Sequence, residues 1–386
     1  MPKLSSRLDG FTESVIRKMT RIANKYGAVN LSQGFPDFEP PKEIIKALEI
    51  ISAAGPHQYE ITWGAQIFRE KLALKQSKKM GLSLDPDKNI VVTCGSTEAM
   101  MAAMLSVCEH KDKVAVFSPF YENYGADAVL SGADPIFVEL KPPAFSFETK
   151  ELEKAFKKGA KALILCNPSN PSGKVFSKEE LQIIADLAIK YDRFIITDEV
   201  YEHIVYKPYQ HTYIASLPNM FERTISCSSL SKTYSITGWR LGYIIASETV
   251  ISVCKKVHDF LTVGAPSPLQ HAAAVGLVFK DNYYDLLLEE YTRKKKIFLD
   301  GLRKIGLPFF DPQGAYYVLV DISAINPYKT DTEFCEYLAK EVGVAAVPGS
   351  SFFHKEENRY IRFHFAKKDE TLQEALKRLE KLRQTA

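Results

Sequence analysis

Residues 162–201 read A-L-I-L-C-N-P-S-N-P-S-G-K-V-F-S-K-E-E-L-Q-I-I-A-D-L-A-I-K-Y-D-R-F-I-I-T-D-E-V-Y. Ala162–Cys166 and Phe194–Thr197 are unbroken apolar runs, the pattern of strands covered on both faces. Between them lie a turn-rich loop and the helical pattern Lys178–Lys190. Strand, helix and strand in that order make a crossover joining two parallel strands, so this stretch decides the fold class. Similar runs recur at Asn89–Thr93, Lys113–Phe117, Pro135–Val138, Thr224–Cys227 and Gly242–Ala246, with helical patterns at Thr97–Cys108 and Pro268–Val278. The expectation is an α/β protein whose mainly parallel, seven-stranded sheet lies between helices.

The texture changes after Asp281. Asn282–Leu307 is a long charged helical stretch, followed by alternating strands around Gly314–Val320 and Arg359–Ala366. We expect residues 43–281 to form a large domain. Residues 282–386 would form a smaller α+β domain, joined by residues 1–42 with their helix candidate Glu13–Lys25.

The 386 residues carry 50 basic and 47 acidic side chains, a formal charge of +3 spread along the chain. Nothing resembles a basic stripe beyond short clusters such as Arg293–Lys296, expected at the surface, so nucleic acid is not an expected partner. No apolar run approaches the length of a membrane span, and the N-terminus lacks a signal-peptide core, making the cytoplasm the expected location. Six scattered cysteines form no C-x-x-C pair and are expected to be buried and reduced. Eight histidines show no metal-ligand spacing, and neither G-x-S-x-G nor a phosphate-binding P-loop occurs. No metal is expected.

Chemistry collects at four strand ends, where ligands bind in parallel sheets. After the first run come Gly95-Ser96-Thr97 and a helix start, which makes an anion site or simply an N-cap. The second end presents the amides of Asn167 and Asn170 on two Asn-Pro pairs. The third carries Asp198, with Tyr201 three residues on. The fourth, S-C-S-S-L-S-K-T-Y-S-I-T-G-W-R at 226–240, sets Lys232 and Arg240 among small hydroxyl residues between apolar strands. A phosphate dianion accounts for both cations: Arg240 binds it bidentately, Ser229 adds a hydroxyl, and the positive charge nearby pushes the Lys232 amine toward its neutral, nucleophilic form. Phosphate cup, carboxylate, phenol, amide and activated lysine are together what pyridoxal phosphate requires.

N-P-x-N-P-[ST]-G, D-E-V-Y and S-x-S-K-x-x-x-x-x-G-W-R, in this order, resemble the fold-type I pyridoxal phosphate aminotransferases of class I/II, and the resemblance covers nearly the whole chain. It implies that Lys232 forms the Schiff base with the cofactor and shuttles the substrate proton, while Asp198 pairs with the pyridinium. Asn170 and Tyr201 would bond the ring oxygen. Gly95, Ser96, Thr97, Ser229 and Arg240 would hold the phosphate, and Tyr121 would stack on the ring. Tyr59 matches the tyrosine that reaches the neighbouring subunit's phosphate, which implies a homodimer. Arg362 in Y-I-R-F-H-F-A matches the arginine that grips the substrate α-carboxylate, with help from Gly34 and Asn170. Arg359 reads instead as a solvated strand-end residue.

Finer matches such as V-N-L-S-Q-G-F-P-D-F and G-V-A-A-V-P-G-S-S-F look most like the branch of kynurenine, glutamine-phenylpyruvate and methionine aminotransferases, which favours large uncharged side chains. Ile16 stands about where eukaryotic kynurenine enzymes have tryptophan, and Val263-Gly264 about where they have Phe-His. Both departures argue against kynurenine. Aspartate would need a second cation, for which Arg17 is the candidate, although the exposed face of its helix is its expected place. A cysteine-conjugate β-lyase on the same scaffold is the nearest rival. A DNA-binding regulator lacks residues for its extra domain, and a Rossmann enzyme lacks G-x-G-x-x-G after the first strand.

Overall fold

Every one of the seven apolar runs forms a strand in the computed structural model, which describes residues 2, 4–5 and 13–384. In chain order the strands are β1 (Val29–Asn30), β2 (Ile90–Thr93), β3 (Lys113–Ser118), β4 (Asp134–Lys141), β5 (Ser146–Phe147), β6 (Ala160–Cys166), β7 (Phe194–Asp198), β8 (Thr224–Ser229), β9 (Gly242–Ile245), β10 (Tyr317–Asp321), β11 (Val344–Ala345), β12 (Val347–Pro348) and β13 (Tyr360–His364). The large sheet runs β2-β9-β8-β7-β6-β3-β4-β5. Its centre is parallel, β9 is antiparallel to both neighbours, and β5 is an antiparallel edge. The sheet thus has eight strands rather than the expected seven. The extra strand, β5, is two residues long, too short to leave a periodic signal.

Central strands β6, β7 and β8 are almost wholly buried. Their two faces pack into separate cores, one around Met104, Val116 and Ile196 and the other around Leu163, Phe156 and Ile195. That two-sided burial is why the runs are continuous rather than alternating. The crossover helix Lys178–Tyr191 begins with a reciprocal capping box, in which the Ser177 hydroxyl accepts from the Glu180 amide and Glu180 accepts from the Ser177 amide. The expected helix 268–278 divides into Ser267–Ala273 and a 3-10 turn at Gly276–Val278. Tyr234 Oη donates to the Gly276 carbonyl at 2.7 Å, within that turn.

Outside the large sheet, β10, β13 and β12 form an antiparallel sheet, while β1 pairs in parallel with β11. The helix Val15–Tyr26 buries Ile16, Met19 and Ala23. One expectation needs correction within the long helix Asp281–Ile305. Lys294 is buried rather than a surface residue, donating to the Lys367 carbonyl at 2.7 Å and pairing with Glu290 at 3.0 Å. Five of the six free cysteines are buried, and Cys94 is half-buried. Among the described residues no helix is long and apolar enough to cross a membrane, and no cluster of His, Cys, Asp and Glu could hold a metal ion.

Candidate active site

Strand ends β6, β7 and β8 stop at one level, and the helix Ser96–Val107 starts beside them. Around this rim is a cavity of about 430 Å³. Its walls include Gly34, Ser96, Thr97, Tyr121, Asn170 and Asp198, together with Tyr201, Ser229, Lys232, Arg240 and Arg362. Residues distant in sequence are therefore brought to a single place. Gly95 supports the wall from behind, and Tyr59 lies away from the cavity of its own chain at 87% exposure.

Lys232 follows the end of β8 and donates to the Gly34 carbonyl at 3.1 Å. Its amine is pushed down to about 8, first by burial and then by Arg240 and Arg362, while Asp198 opposes the shift. Neighbouring positive charge was the expected cause. Desolvation proves the larger, because the amine sits among Tyr316, Tyr317 and the ends of packed strands.

Asp198 ends β7 and is buried, which raises its carboxyl above the usual range; Tyr124, the Val200 amide and Lys232 act the other way. Tyr124 Oη donates to Oδ2 at 2.7 Å and the Val200 amide to Oδ1 at 3.3 Å. Tyr201 and Tyr317 share a hydroxyl contact of 2.8 Å. Of the two Asn-Pro amides, only Asn170 faces the cavity. Asn167 turns away, and its Oδ1 accepts from the Phe176 amide at 3.1 Å.

Arg362, on β13, is fully buried. Nη1 donates to Asn170 Oδ1 at 2.7 Å and Nη2 to the Ser32 carbonyl at 2.8 Å, while the guanidinium stacks between the Tyr317 and Phe352 rings. A planar cation held this way is pre-organised for a carboxylate. The Ser32 carbonyl touches Arg362, and Gly34 lines the same cavity, its carbonyl accepting from Lys232 and Tyr316. Arg359 is exposed and paired with Glu357, as expected for a strand-end residue.

At the anion end, Gly95 has φ +83° and precedes the helix start at Ser96, and a Cβ there would overlap the Arg240 guanidinium. A Cβ on Gly242 would likewise strike the Gly95 and Ser96 backbone. Backbone, helix amides and guanidinium are thus interleaved with no room for side chains. Ser229 and Ser231 line the same wall, and the buried Ser231 hydroxyl has no partner among the described residues. Arg240 is exposed, donating to the Thr237 carbonyl at 3.0 Å. An orphaned hydroxyl, a helix N-terminus and a guanidinium converging on one end fit a phosphate. Lys232 and Asp198 fit an aldehyde and a protonated ring nitrogen. The residues present therefore suit pyridoxal phosphate.

Sequence reasoning missed Tyr124, Ser231, Tyr316 and Tyr317. The pair Tyr316-Tyr317 stands at the start of β10, and Tyr124 is three residues beyond Tyr121, so all three were visible as polar-tipped aromatics. Arg17 is exposed, as expected, yet it also lines the cavity beside Ile16.

The family described as aminotransferase class I and II matches residues 26–379. The chain belongs to that family. This aminotransferase is 35% identical over 378 residues to the methionine aminotransferase of Escherichia coli K12, covering 98% of each chain. It is also 35% identical over 421 residues to the kynurenine–oxoglutarate transaminase of Dictyostelium discoideum, covering 99% of this chain and 97% of that one. Among solved structures it matches N-succinyldiaminopimelate aminotransferase from Mycobacterium tuberculosis with a TM-score of 0.95 and 34% identity, covering 98% and 100% of the two chains. The protein is accordingly a pyridoxal phosphate-dependent transaminase of fold type I.

Proposed function

We propose that this aminotransferase moves the amino group of a large uncharged amino acid (aromatic, methionine or glutamine-like) to a 2-oxo acid such as 2-oxoglutarate, in alternating half-reactions. The observation that carries the reading is the Lys232 amine, depressed to about 8, lying in one cavity with buried Asp198 and the pre-organised Arg362. When bound, pyridoxal phosphate supplies an aldehyde that condenses with amines and a protonated ring that draws electron density from the substrate Cα.

Around it, each residue has a task. Arg362 holds the α-carboxylate and so sets which Cα bond faces Lys232, with Asn170 keeping the guanidinium in plane. Lys232, its hold on a proton weakened by burial, would take the substrate Cα proton and hand it back within the cavity. Asp198, supported by Tyr124, keeps a cationic ring N–H in place. Asn170 and Tyr201 are the ring-oxygen donors in this reading, Tyr121 stacks on the ring, and Gly95, Ser96, Thr97, Ser229 and Arg240 hold the phosphate. Ile16, Phe35 and Tyr121 give the substrate side of the cavity apolar surface, consistent with an uncharged side chain.

A homodimer belongs to this proposal. Tyr59, Phe260 and Val263 are exposed at 87%, 90% and 50%. His258 Nε2 lies 2.9 Å from the Thr62 carbonyl and joins their two segments into one face. Apolar surface of that kind suits a second copy, with Tyr59 reaching the other site. We further read residues 43–281 as the cofactor-binding domain, with 1–42 and 282–386 as the smaller one.

A half-reaction screen tests the function. Each amino acid is added in turn to the yellow holoenzyme and the loss of visible absorbance is followed. Methionine, aromatic amino acids or glutamine should react faster than aspartate, and 2-oxoglutarate should restore the colour. Aspartate outpacing all of them would favour the second reading, an aspartate aminotransferase, which Arg17 at the cavity supports. Pyruvate and ammonia released without an oxo acid would favour the β-lyase. Lys232→Ala should keep the fold and lose the colour change.

A further inference from the structure

Asp127 lies on the helix Asn123–Leu130, one turn beyond Tyr124, and is only 4% exposed. Positions 124, 127 and 128 are the buried ones of that helix, and Tyr124 and Ala128 join the core of Ala99, Met100, Val116 and Cys227. The helix packs against β3, β4 and the helix Ser96–Val107, none of which offers a buried ionisable group. An aspartate is out of place there. Among the described residues no cation offsets its charge, and its buried Oδ2 has no hydrogen-bond partner. A bare carboxylate so placed is costly, whereas a protonated carboxyl is tolerated. The acid is accordingly pushed up to about 8, first by burial and then by the charge of Asp198.

Its ionisable surroundings are few. Tyr124 donates to Asp198 Oδ2 at 2.7 Å. Cys227 pairs with Asp198 in the β7–β8 register and feels the charge of both acids, and Cys166 lies beside Tyr124. Burial pushes the phenol and both thiols up, so all three are neutral. Asp127 and Asp198 are thus the two acids of one apolar compartment, and only Asp198 lines the cavity.

We propose that Asp127 is a positioning residue for the coenzyme ring that acts through Asp198: it holds a proton in the resting protein and, once ionised, places a second negative charge behind the acid that faces the ring nitrogen. The proposal rests on the pyridoxal phosphate site described above and adds to it a titrating group that touches neither coenzyme nor substrate. Linkage works in both directions. A cationic ring beside Asp198 favours release of the Asp127 proton to solvent, and an ionised Asp127 tightens the hold on that ring.

The test compares the wild-type apoprotein with Asp127→Asn and Asp127→Leu, neither of which can ionise at this position. Pyridoxamine phosphate is the probe, since it has the ring and the phosphate but no aldehyde for Lys232. In fluorescence titrations the ratio of wild-type to variant affinity should rise about threefold to tenfold from pH 6 to pH 9, the effect of one added charge at intermediate range. Titration of the phosphate and of Lys232 cancels in that ratio. Thermal unfolding gives the second readout. The folded chain keeps the Asp127 proton up to about pH 8, whereas the unfolded chain loses it near pH 4, so the cost to stability grows between those limits. The Tm advantage of Asp127→Asn over the wild type should widen from pH 5 to pH 8 and hold steady above. A ratio independent of pH, or one that rises for a single variant and so marks a packing effect, overturns the role of Asp127. A Tm difference independent of pH overturns the buried acid itself. If the wild type binds no pyridoxamine phosphate, the coenzyme site falls together with the proposal.

Discussion

Lys232 joins sequence and chemistry most directly. An ordinary lysine titrates near 10.4, so almost none of it is neutral at pH 7, whereas an amine brought down to about 8 is roughly one-tenth neutral there. The neutral fraction rises with pH, so attachment of pyridoxal phosphate to the apoprotein should quicken about fivefold from pH 7 to 8 and level off above about pH 9. Stopped-flow absorbance would show this. A rate still climbing about tenfold per unit through pH 9 would mean an unshifted amine. At this scale the sequence was informative about which residues meet: Lys232, Asp198, Asn170, Tyr201, Arg240 and Arg362 all surround one cavity. It was less informative about why the amine is depressed, because desolvation depends on Tyr316 and Tyr317, and these arrive from another sheet. The carbonyl beside Arg362, that of Ser32, was equally invisible, since the way that loop turns leaves no mark in the sequence.

Among the elements, β9 and the helix Ser96–Val107 meet backbone to backbone. Gly242 abuts the backbone of Gly95 and Ser96, so a methyl group there must displace the helix start that serves the anion end. Gly242→Ala should cost about 1–3 kcal/mol of stability, the usual penalty of overpacking. It should also weaken pyridoxal phosphate about tenfold. Thermal unfolding and fluorescence titration of the apoprotein measure the two effects, and cofactor affinity unchanged in a destabilised variant would contradict the role of this contact. The central strands of the large sheet were readable because both faces are covered and the apolar run is unbroken, and β10 and β13 were readable by their alternation. The two-residue strands β1, β5, β11 and β12 were not, for a pair of residues has no period. Long-range pairing alone defines them: Val29 finds Val344, more than three hundred positions away.

For the whole molecule, the face carrying Tyr59, Phe260 and Val263 is the largest unresolved demand of a single chain, because Phe260 is 90% exposed on an otherwise amphipathic helix. If the proposed homodimer forms through this face, Phe260→Asp should shift sedimentation toward the monomer and weaken cofactor retention along with it. A variant that still sediments as a dimer would place the interface elsewhere. The proposed homodimer is suggested in the sequence only by the likeness of H-Q-Y-E-I-T-W-G to family members. A solvent-facing aromatic is no different in pattern from a buried one until the fold shows where it points.

The Gly34 carbonyl, shared by Lys232 and Tyr316, has a further effect. A lysine nitrogen bonded to an aldehyde carbon would have fewer protons with which to hold that oxygen. The chain between β1 and the Lys42–Ala54 helix would then lose one tether and keep the phenol as the other. Coenzyme loading would in this way be linked mechanically to the stretch whose Gln33, Gly34 and Phe35 line the cavity.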